Sequence, residues 1–252
     1  MEMRVANRTE ENPPLIVELV GPAGAGKTTL SRALSRRNEN IHVGAEIELR
    51  KLEYAPVFAR SALPLLPLVL RGWQSDRWLT WEEIKYLVYL KGWPRVLRHQ
   101  AARGGAAILL DHGPVFKLAT LRAFGPQSLK AKTLEPWWND MFRQWASMID
   151  MVVWLDAPDS ILEKRINSRK QPHAVKGKSE LAVTQFLARY RISYEQILAE
   201  LKNFGGPTLF QFDTSQTAIE QVADEVLRAL HSSPAESERT VDVARLKNIM
   251  IS

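Results

Sequence analysis

Short apolar runs alternate with longer stretches of helical spacing along most of the chain. Near-continuous apolar runs bounded by turn residues are typical of strands buried on both faces of a parallel sheet. They predict strands at Leu15–Val20, Ile41–Val43, Ala106–Leu110, Met151–Leu155 and Thr208–Phe212. Helical spacing predicts helices at Lys27–Arg36, Trp81–Arg103, Leu134–Ile149, Ser160–Ser168, Ser179–Leu201 and Ala218–Leu230. This alternation indicates an α/β fold, a three-layer open parallel sheet with helices on both faces.

The turn after the first strand matches the phosphate-binding pattern G-x-x-x-x-G-K-[ST] at every fixed position, directly before a helix. Glycines let successive backbone N–H groups converge on phosphate oxygens, and the helix N-terminus adds partial positive charge. Lys27 is expected to reach the β- and γ-phosphates, and the Thr28 hydroxyl to ligate Mg²⁺. The turn therefore predicts ATP or GTP binding. The predicted phosphate-binding residues are Gly21, Ala23, Gly24, Ala25, Gly26, Lys27, Thr28 and Thr29.

An acidic residue ends the strand that leads into Asp111-His112-Gly113-Pro114. Ligands of an open parallel sheet gather at the carboxyl ends of its strands, so Asp111 is expected on the same edge as the phosphate-binding turn. There its carboxylate would hold Mg²⁺ through water or accept a proton from an attacking hydroxyl. An Asp that only caps the turn is the structural alternative.

With these motifs the chain resembles the nucleoside and nucleotide kinases among P-loop phosphotransferases, thymidylate kinase being nearest in pattern. Three features besides the P-loop support this: the strand-end Asp111, the segment Val152–Arg169 with its L-D-x-P turn, and the turn Asp213-Thr214-Ser215. The resemblance covers roughly Leu15 to Leu230. It implies a nucleotide kinase-like fold, ATP and Mg²⁺ as cofactors, an arginine-bearing lid, and a last turn that packs on the adenine.

Positive charge concentrates where the resemblance places the lid. Residues 164–178 contain six Lys and Arg and no acid. Phosphoryl transfer spreads negative charge over the γ-phosphate oxygens, so cations that close over them stabilise the transition state. We predict a lid at about 165–180, with Arg165 and Arg169 as catalytic residues beside Lys27 and Asp111, and Arg165 also at the nucleotide. A solvated basic loop is the alternative.

A second basic block lies on the side where these kinases bind their acceptor. Residues 50–132 contain 14 basic and five acidic residues, interleaved with aromatic side chains. Such a block would cradle a phosphorylated acceptor and stack on its base or sugar, although aromatics at helical spacing also form ordinary core. The aromatic residues are Trp73, Trp78, Trp81, Tyr86, Tyr89 and Trp93.

Two departures from the kinase pattern leave the acceptor open. His112 stands where the group commonly has an arginine that serves the acceptor. The chain also has room for a helical insertion at about 45–105, on the acceptor side. A non-nucleotide acceptor is therefore a second hypothesis.

Composition excludes several other classes of protein. The net charge is +6, the chain contains no cysteine, and 45% of its residues are hydrophobic. A disulfide framework and a thiolate metal site are excluded. The N-terminal residues do not have the form of a signal peptide, and no apolar stretch reaches the roughly 20 residues of a membrane span. We therefore expect a cytoplasmic protein.

The sequence predicts one P-loop kinase domain over 1–230, followed by a tail at 231–252. The leading hypothesis is transfer of the ATP γ-phosphate to a small molecule, favouring a nucleotide or nucleoside. The alternatives are an ATPase switch or regulatory nucleotide-binding protein, and a kinase for a non-nucleotide metabolite or a nucleic-acid end. The charge pattern does not favour nucleic acid as a partner. A homodimer stays open.

Overall fold

Five parallel strands form one sheet in the order β2-β3-β1-β4-β5, in a computed structural model that describes residues 13–44, 59–61, 77–102 and 104–231. The strands are β1 (Leu15–Val20), β2 (Ile41–Val43), β3 (Ala107–Asp111), β4 (Met151–Asp156) and β5 (Thr208–Asp213). The first strand is central, with Leu19 opposite Asp111 of β3 and Val20 opposite Trp154 of β4. Its carboxyl end, where the P-loop begins, therefore lies at the middle of the sheet edge.

The helices connect these strands and pack on both faces of the sheet. They are α1 (Lys27–Arg37), α2 (Trp81–Ala101), α3 (Pro114–Phe124), α4 (Glu135–Ala146), α5 (Asp159–Ser168), α6 (Glu180–Asn203) and α7 (Ile219–His231), with 3₁₀ turns at Gln127–Lys130 and Lys132–Leu134. Within the described ranges, each of these helices is too short or too polar to cross a lipid bilayer.

Side chains of each strand alternate between two apolar clusters, one on each face of the sheet. In β1, Ile16 and Val20 point into a cluster with α2, α3, α4 and the second half of α6. Val17 and Leu19 point into a cluster with α1, α5 and α7. The three-layer open parallel sheet predicted from the sequence is confirmed.

One helix beside the candidate site was not predicted. Helix α3 follows Asp111 after only two residues and has Pro114 at its first position. A proline at the first helical position, followed by buried Val115, Leu118 and Ala119, is the signal that could have identified it. The segment Asp-His-Gly-Pro was interpreted as a turn, so the start of this helix was not predicted.

Helix α2 begins where the sequence analysis placed it, for a local reason. The Thr80 hydroxyl accepts from the Glu83 amide, and the Glu83 carboxylate accepts from the Thr80 amide, which is a capping box. Arg77 extends this start by donating to both Glu83 oxygens and to the Phe124 carbonyl at the end of α3. Arg77 thus ties α2 to α3.

The predicted subdivision of the chain stays a prediction. Of the proposed insertion at about 45–105, residues 45–58, 62–76 and 103 lie outside the described residues, and so does Trp73. The described remainder contains α2. The tail predicted at 231–252 also lies outside the described residues, apart from His231 at the end of α7.

Candidate active site

The P-loop keeps its shape because strand and helix backbones approach its glycines closely. Gly21, Gly24 and Gly26 have φ of 134°, 89° and 102°, a region that other residues rarely adopt. A Cβ on Gly21 would lie 1.9 Å from the Leu155 carbonyl oxygen of β4. No side chain fits at this position, so the first glycine of the motif is a packing requirement as well as a conformational one.

Lys27 lies folded into the loop that it follows. Its Nζ donates to the carbonyl oxygens of Gly21 at 2.7 Å and Pro22 at 3.0 Å. Burial lowers the pKa of Lys27 to about 8; the Asp111 carboxylate raises it and the Arg169 charge lowers it. Since phosphate oxygens would stabilise its charged form, this ammonium group is suited to binding an anion.

The two predicted metal residues lie next to each other across the sheet edge. Thr28 Oγ1 donates to Asp111 Oδ2 at 3.4 Å, joining the start of α1 to the end of β3. Within the described part of the chain, Asp111 Oδ1 is buried and accepts no hydrogen bond. His112 Nε2 lies 4.0 Å from this oxygen. The Thr28 hydroxyl and the two Asp111 carboxylate oxygens form a set of oxygen ligands that fits Mg²⁺, which prefers oxygen ligands.

A buried acid that sequence reasoning missed lies behind Asp111. Glu18, in the middle of β1, is fully buried, and its two carboxylate oxygens accept from the amides of Val115 and Phe116, each at 2.9 Å. Burial raises the pKa of Glu18 to about 7, opposed by these amides and by Lys117. A single acid within the apolar run Leu-Ile-Val-Glu-Leu-Val was the available signal.

Arg165 and Thr214 meet on the side of the P-loop that faces α5. Arg165 Nη1 donates to the Gly24 carbonyl at 3.2 Å and to Thr214 Oγ1 at 2.9 Å, and Nη2 donates to the Thr214 carbonyl at 2.9 Å. In the same turn, Asp213 Oδ1 accepts from the amide and hydroxyl of Ser215. The predicted nucleotide residues Arg165, Asp213, Thr214 and Ser215 are therefore brought together beside the loop.

The second predicted lid arginine, Arg169, acts electrostatically on Lys27. It follows α5 directly, and its charge lowers the pKa of both Lys27 and His173, beyond the larger effect of burial on each. In the segment predicted as the lid, Lys176 Nζ donates to the Arg169 carbonyl, and Val175 is buried. The two predicted lid arginines therefore differ in their partners: Arg165 bonds Gly24 and Thr214, whereas the charge of Arg169 acts on Lys27 and His173.

A further arginine, which sequence reasoning missed, holds the carboxyl end of β4. Arg191 of α6 donates to both carboxylate oxygens of Asp156, at 2.7 and 3.0 Å, and to Asp159 at 2.5 Å. The hydrogen bond with Asp156 is the main cause that raises the pKa of Arg191 above its ordinary value. Since Asp156 ends β4 and Asp159 begins α5, Arg191 ties the end of this strand to the start of this helix.

Half-buried aromatic rings from α2, α3 and α6 form a cluster with His112, the residue directly after Asp111. The Phe116 ring lies 4.4 Å from His112 and 6.1 Å from Tyr190, between centroids. The Lys117 ammonium lies 3.9 Å from the centroid of Tyr89. We call Tyr86, Tyr89, His112, Phe116, Phe124, Phe186 and Tyr190 the aromatic wall.

Of the two interpretations of the predicted aromatic block, the core interpretation holds for Trp93, and acceptor binding stays a prediction. Trp93 is core, Tyr86 and Tyr89 belong to the aromatic wall, and Trp78 and Trp81 are exposed. The wall residues of α3 and α6 were not predicted as site residues. Their hydrophobic spacing is the same as that of core residues, so the sequence carries no signal that separates the two.

The fold is that of the P-loop nucleotide kinases. The solved structure of deoxyadenosine kinase from M. mycoides with products dCMP and a flexible dCDP bound has 16% sequence identity and a TM-score of 0.50, and the match covers 87% of this chain and 100% of that one. Thymidylate kinase from Candida albicans has 14% identity and a TM-score of 0.53, with 86% of this chain and 91% of that one covered.

The chain belongs to a family described as AAA domain, whose match spans residues 16–191. No curated protein sequence matches the chain. The span runs from β1 to the middle of α6 and includes the P-loop, Asp111 and the predicted lid. The predicted resemblance to P-loop kinases is confirmed at the level of fold and family.

Proposed function

We propose that the protein is an ATP-dependent phosphotransferase that moves the γ-phosphate of ATP to a small-molecule acceptor. The observation that carries the proposal is the meeting of Lys27, Thr28 and Asp111 at one point of the sheet edge, with Thr28 Oγ1 3.4 Å from Asp111 Oδ2. A P-loop Thr and a strand-end Asp hold Mg²⁺ in P-loop ATPases as well, and the fold shared with nucleotide kinases is what favours transfer to an acceptor. The carboxylate from a different strand adds a group for a metal ion or a proton.

Each group has a distinct proposed role. Lys27 and the loop amides hold the phosphates, and Arg169 approaches them from the lid. Arg165 and the Asp213–Ser215 turn hold the nucleoside end. Thr28 and Asp111 would hold Mg²⁺, which when bound neutralises charge that develops on the phosphate oxygens. Asp111 is also placed to accept the proton of the acceptor hydroxyl.

A nucleotide or nucleoside is the acceptor class that we propose first. The aromatic wall lies beside Asp111 and offers faces on which a planar base can stack. The two solved structures named above are of a nucleoside kinase and a nucleotide kinase, which supports this choice. His112 in place of the common arginine favours acceptors that bind with fewer phosphate contacts.

The test is an acceptor panel with γ-labelled ATP and Mg²⁺. Nucleosides, nucleoside monophosphates and sugar-like alcohols are incubated with the full chain, and labelled product is separated from free phosphate. Lys27→Ala should lower transfer by about 100-fold or more because it removes a preorganised charge at the phosphates. Lys202→Ala, an exposed change at the end of α6, should leave the rate unchanged.

The outcomes separate this proposal from its alternatives. Free phosphate with every candidate would contradict the kinase and support an ATPase switch. A labelled sugar or other metabolite would retain the kinase and replace the acceptor class. Salt-dependent binding to oligonucleotides, with a labelled nucleic-acid end, would identify the third alternative. Sedimentation of the same sample would test the predicted homodimer.

A further inference from the structure

We propose that Glu18 is a positioning residue that, through the first amides of α3, holds the β3–α3 turn so that Asp111 faces Thr28. The inference rests on the proposed function, since it concerns the same metal and phosphate site. Glu18 touches neither Lys27 nor Thr28 by any hydrogen bond among the described residues. It acts on the site through Val115 and Phe116.

The place of Glu18 in β1 is unusual for an acid. Its neighbours on the same face of the strand, Ile16 and Val20, are part of the apolar cluster between the sheet and α3. An isolated carboxylate at such a position costs several kcal/mol unless it is hydrogen-bonded. Both of its oxygens are bonded, so its position depends on the two amides, and the position of the amides depends on it.

The turn provides those amides because of its sequence. Helix α3 has Gly113 as its N-cap residue without a side-chain cap, and Pro114 at the next position has no N–H group. The first free amides are therefore those of Val115 and Phe116, and Glu18 takes both. A side chain from β1 supplies the cap that the turn itself lacks, and the helix N-terminus favours a negative charge there.

The turn needs this external support because part of it is strained. His112, the residue directly after Asp111, has a φ of 58°, a left-handed conformation that is unfavourable for a non-glycine residue. Such a conformation persists only where the surroundings impose it. Glu18 accepts from the amides that follow the turn, and Lys117 donates to the His112 carbonyl within it.

Contact between the turn and Glu18 leaves no free space. A Cβ built on Gly113 would lie 2.7 Å from Glu18 Cδ and 2.9 Å from Glu18 Oε2. Any shift of the carboxylate is therefore transmitted to the backbone two residues from Asp111. The charged and titratable groups around Glu18 are Asp111 from β3, Lys117 from α3 and Tyr194 from α6.

The test measures how much Mg²⁺ tightens ADP binding in Glu18→Gln, a variant of nearly the same shape. The amide of Gln keeps one acceptor but turns an NH₂ group toward the second backbone amide. We expect ADP affinity in EDTA to stay within about twofold, and the tightening by Mg²⁺ to fall about tenfold, the usual scale for a group that orients a metal ligand. Full tightening by Mg²⁺ in folded Glu18→Gln would overturn the inference.

Two further variants guard against a loss of folding. Gly113→Ala keeps Glu18 but presses a Cβ on its carboxylate, at a backbone φ of −72° that alanine adopts readily. It should reproduce the loss even where Glu18→Gln does not fold, and normal Mg²⁺ tightening in it would contradict the inference.

Asp150→Asn is the matched control: this partly buried carboxylate accepts from the Ile16 amide at 2.7 Å, at the opposite end of β1. It should lower the melting temperature without changing Mg²⁺ tightening.

The same measurements keep this inference apart from the proposed function. Wild-type protein that binds ADP with equal affinity with and without Mg²⁺ would overturn both. Mg²⁺-dependent ADP binding without phosphorylation of any acceptor would contradict the kinase alone, because Glu18 would still support a metal site. Backbone NMR supplies a readout independent of ligands, since the Val115 and Phe116 amide protons should shift in Glu18→Gln and not in Asp150→Asn.

Discussion

The P-loop and the aromatic wall, which we propose as the phosphate side and the acceptor side of the site, are built from different chemical groups. On the phosphate side, eight consecutive residues from Gly21 to Thr28 provide backbone amides, one ammonium group and one hydroxyl. On the acceptor side, single aromatic side chains come from three helices, as Tyr86, Phe116 and Tyr190 show. A phosphate is the same in every nucleotide, so a fixed backbone can bind it. Acceptors differ from one kinase to another, and the wall that we propose for the acceptor consists of side chains, which are easily exchanged.

The strongest test of this comparison is Asp111→Asn, which acts where the two sides meet. We expect phosphoryl transfer to fall about 100- to 1000-fold, since a neutral amide neither attracts a metal ion nor accepts the proton. The melting temperature should change little. Transfer assays and thermal unfolding provide the measurements, with Asp140→Asn, at an exposed surface pair with Arg143, as control. A wild-type rate of transfer in Asp111→Asn would show that Asp111 has no role in the active site.

A backbone-built phosphate side should be intolerant of any side chain at Gly21. Gly21→Ala should lower the free energy of unfolding by about 3 kcal/mol or more, because the Cβ would overlap the Leu155 carbonyl. Gly205→Ala is the control, with a φ of 71° and nothing within 4 Å of the new Cβ, and should cost about 1 kcal/mol. Equal losses in urea unfolding would show that φ strain alone decides, and would contradict the packing argument.

The acceptor side should respond to loss of one ring by a change of KM for the acceptor alone. Phe116→Ala keeps the backbone amide that donates to Glu18 but removes the ring between His112 and Tyr190. We expect the acceptor KM to rise about tenfold and the ATP KM to stay within about twofold. Phe204→Ala, a ring at the far end of α6, serves as control. An equal rise in both KM values would mean that the two sides are not separate.

The smallest effect concerns a proton on the phosphate side. With a pKa of about 8, Lys27 is half neutral at pH 8 in the free protein, and phosphate binding should restore its charge. ADP binding should then take up about half a proton at pH 8, and the affinity should fall as the pH rises further. Calorimetry in two buffers measures this uptake. Lys27→Arg should show none because its guanidinium stays protonated, and an unchanged uptake there would assign the proton elsewhere.

Much of the phosphate side was readable from the sequence because it is local. Strand, turn and helix follow each other within Leu15–Arg37, so spacing and residue type were sufficient. The strand-end Asp111 was also predicted, because every strand of a parallel sheet ends at the same edge. Helix α3 was missed because Asp-His-Gly-Pro indicates a turn equally well.

Glu18, Arg191 and the wall residues of α3 and α6 could not be assigned roles from the sequence. Their partners are distant along the chain: Glu18 accepts from Val115, and Arg191 donates to Asp156. A buried acid and an arginine on a helix have many other uses. Only the packing of α3 and α6 on the sheet shows which amides and carboxylates they face.

The sequence alone predicts the succession of most strands and helices along the chain, the phosphate-binding turn, and residues of the types suited to ATP and Mg²⁺, because these features depend on neighbours within a few positions. Only the packed structure shows that Thr28 meets Asp111, that Arg165 joins Gly24 to Thr214, and that aromatic rings from three helices form one wall. These arrangements depend on how helices pack on a common sheet, where contacts join residues distant along the chain: Thr28 and Asp111 are 83 positions apart, and Arg165 and Gly24 are 141 apart.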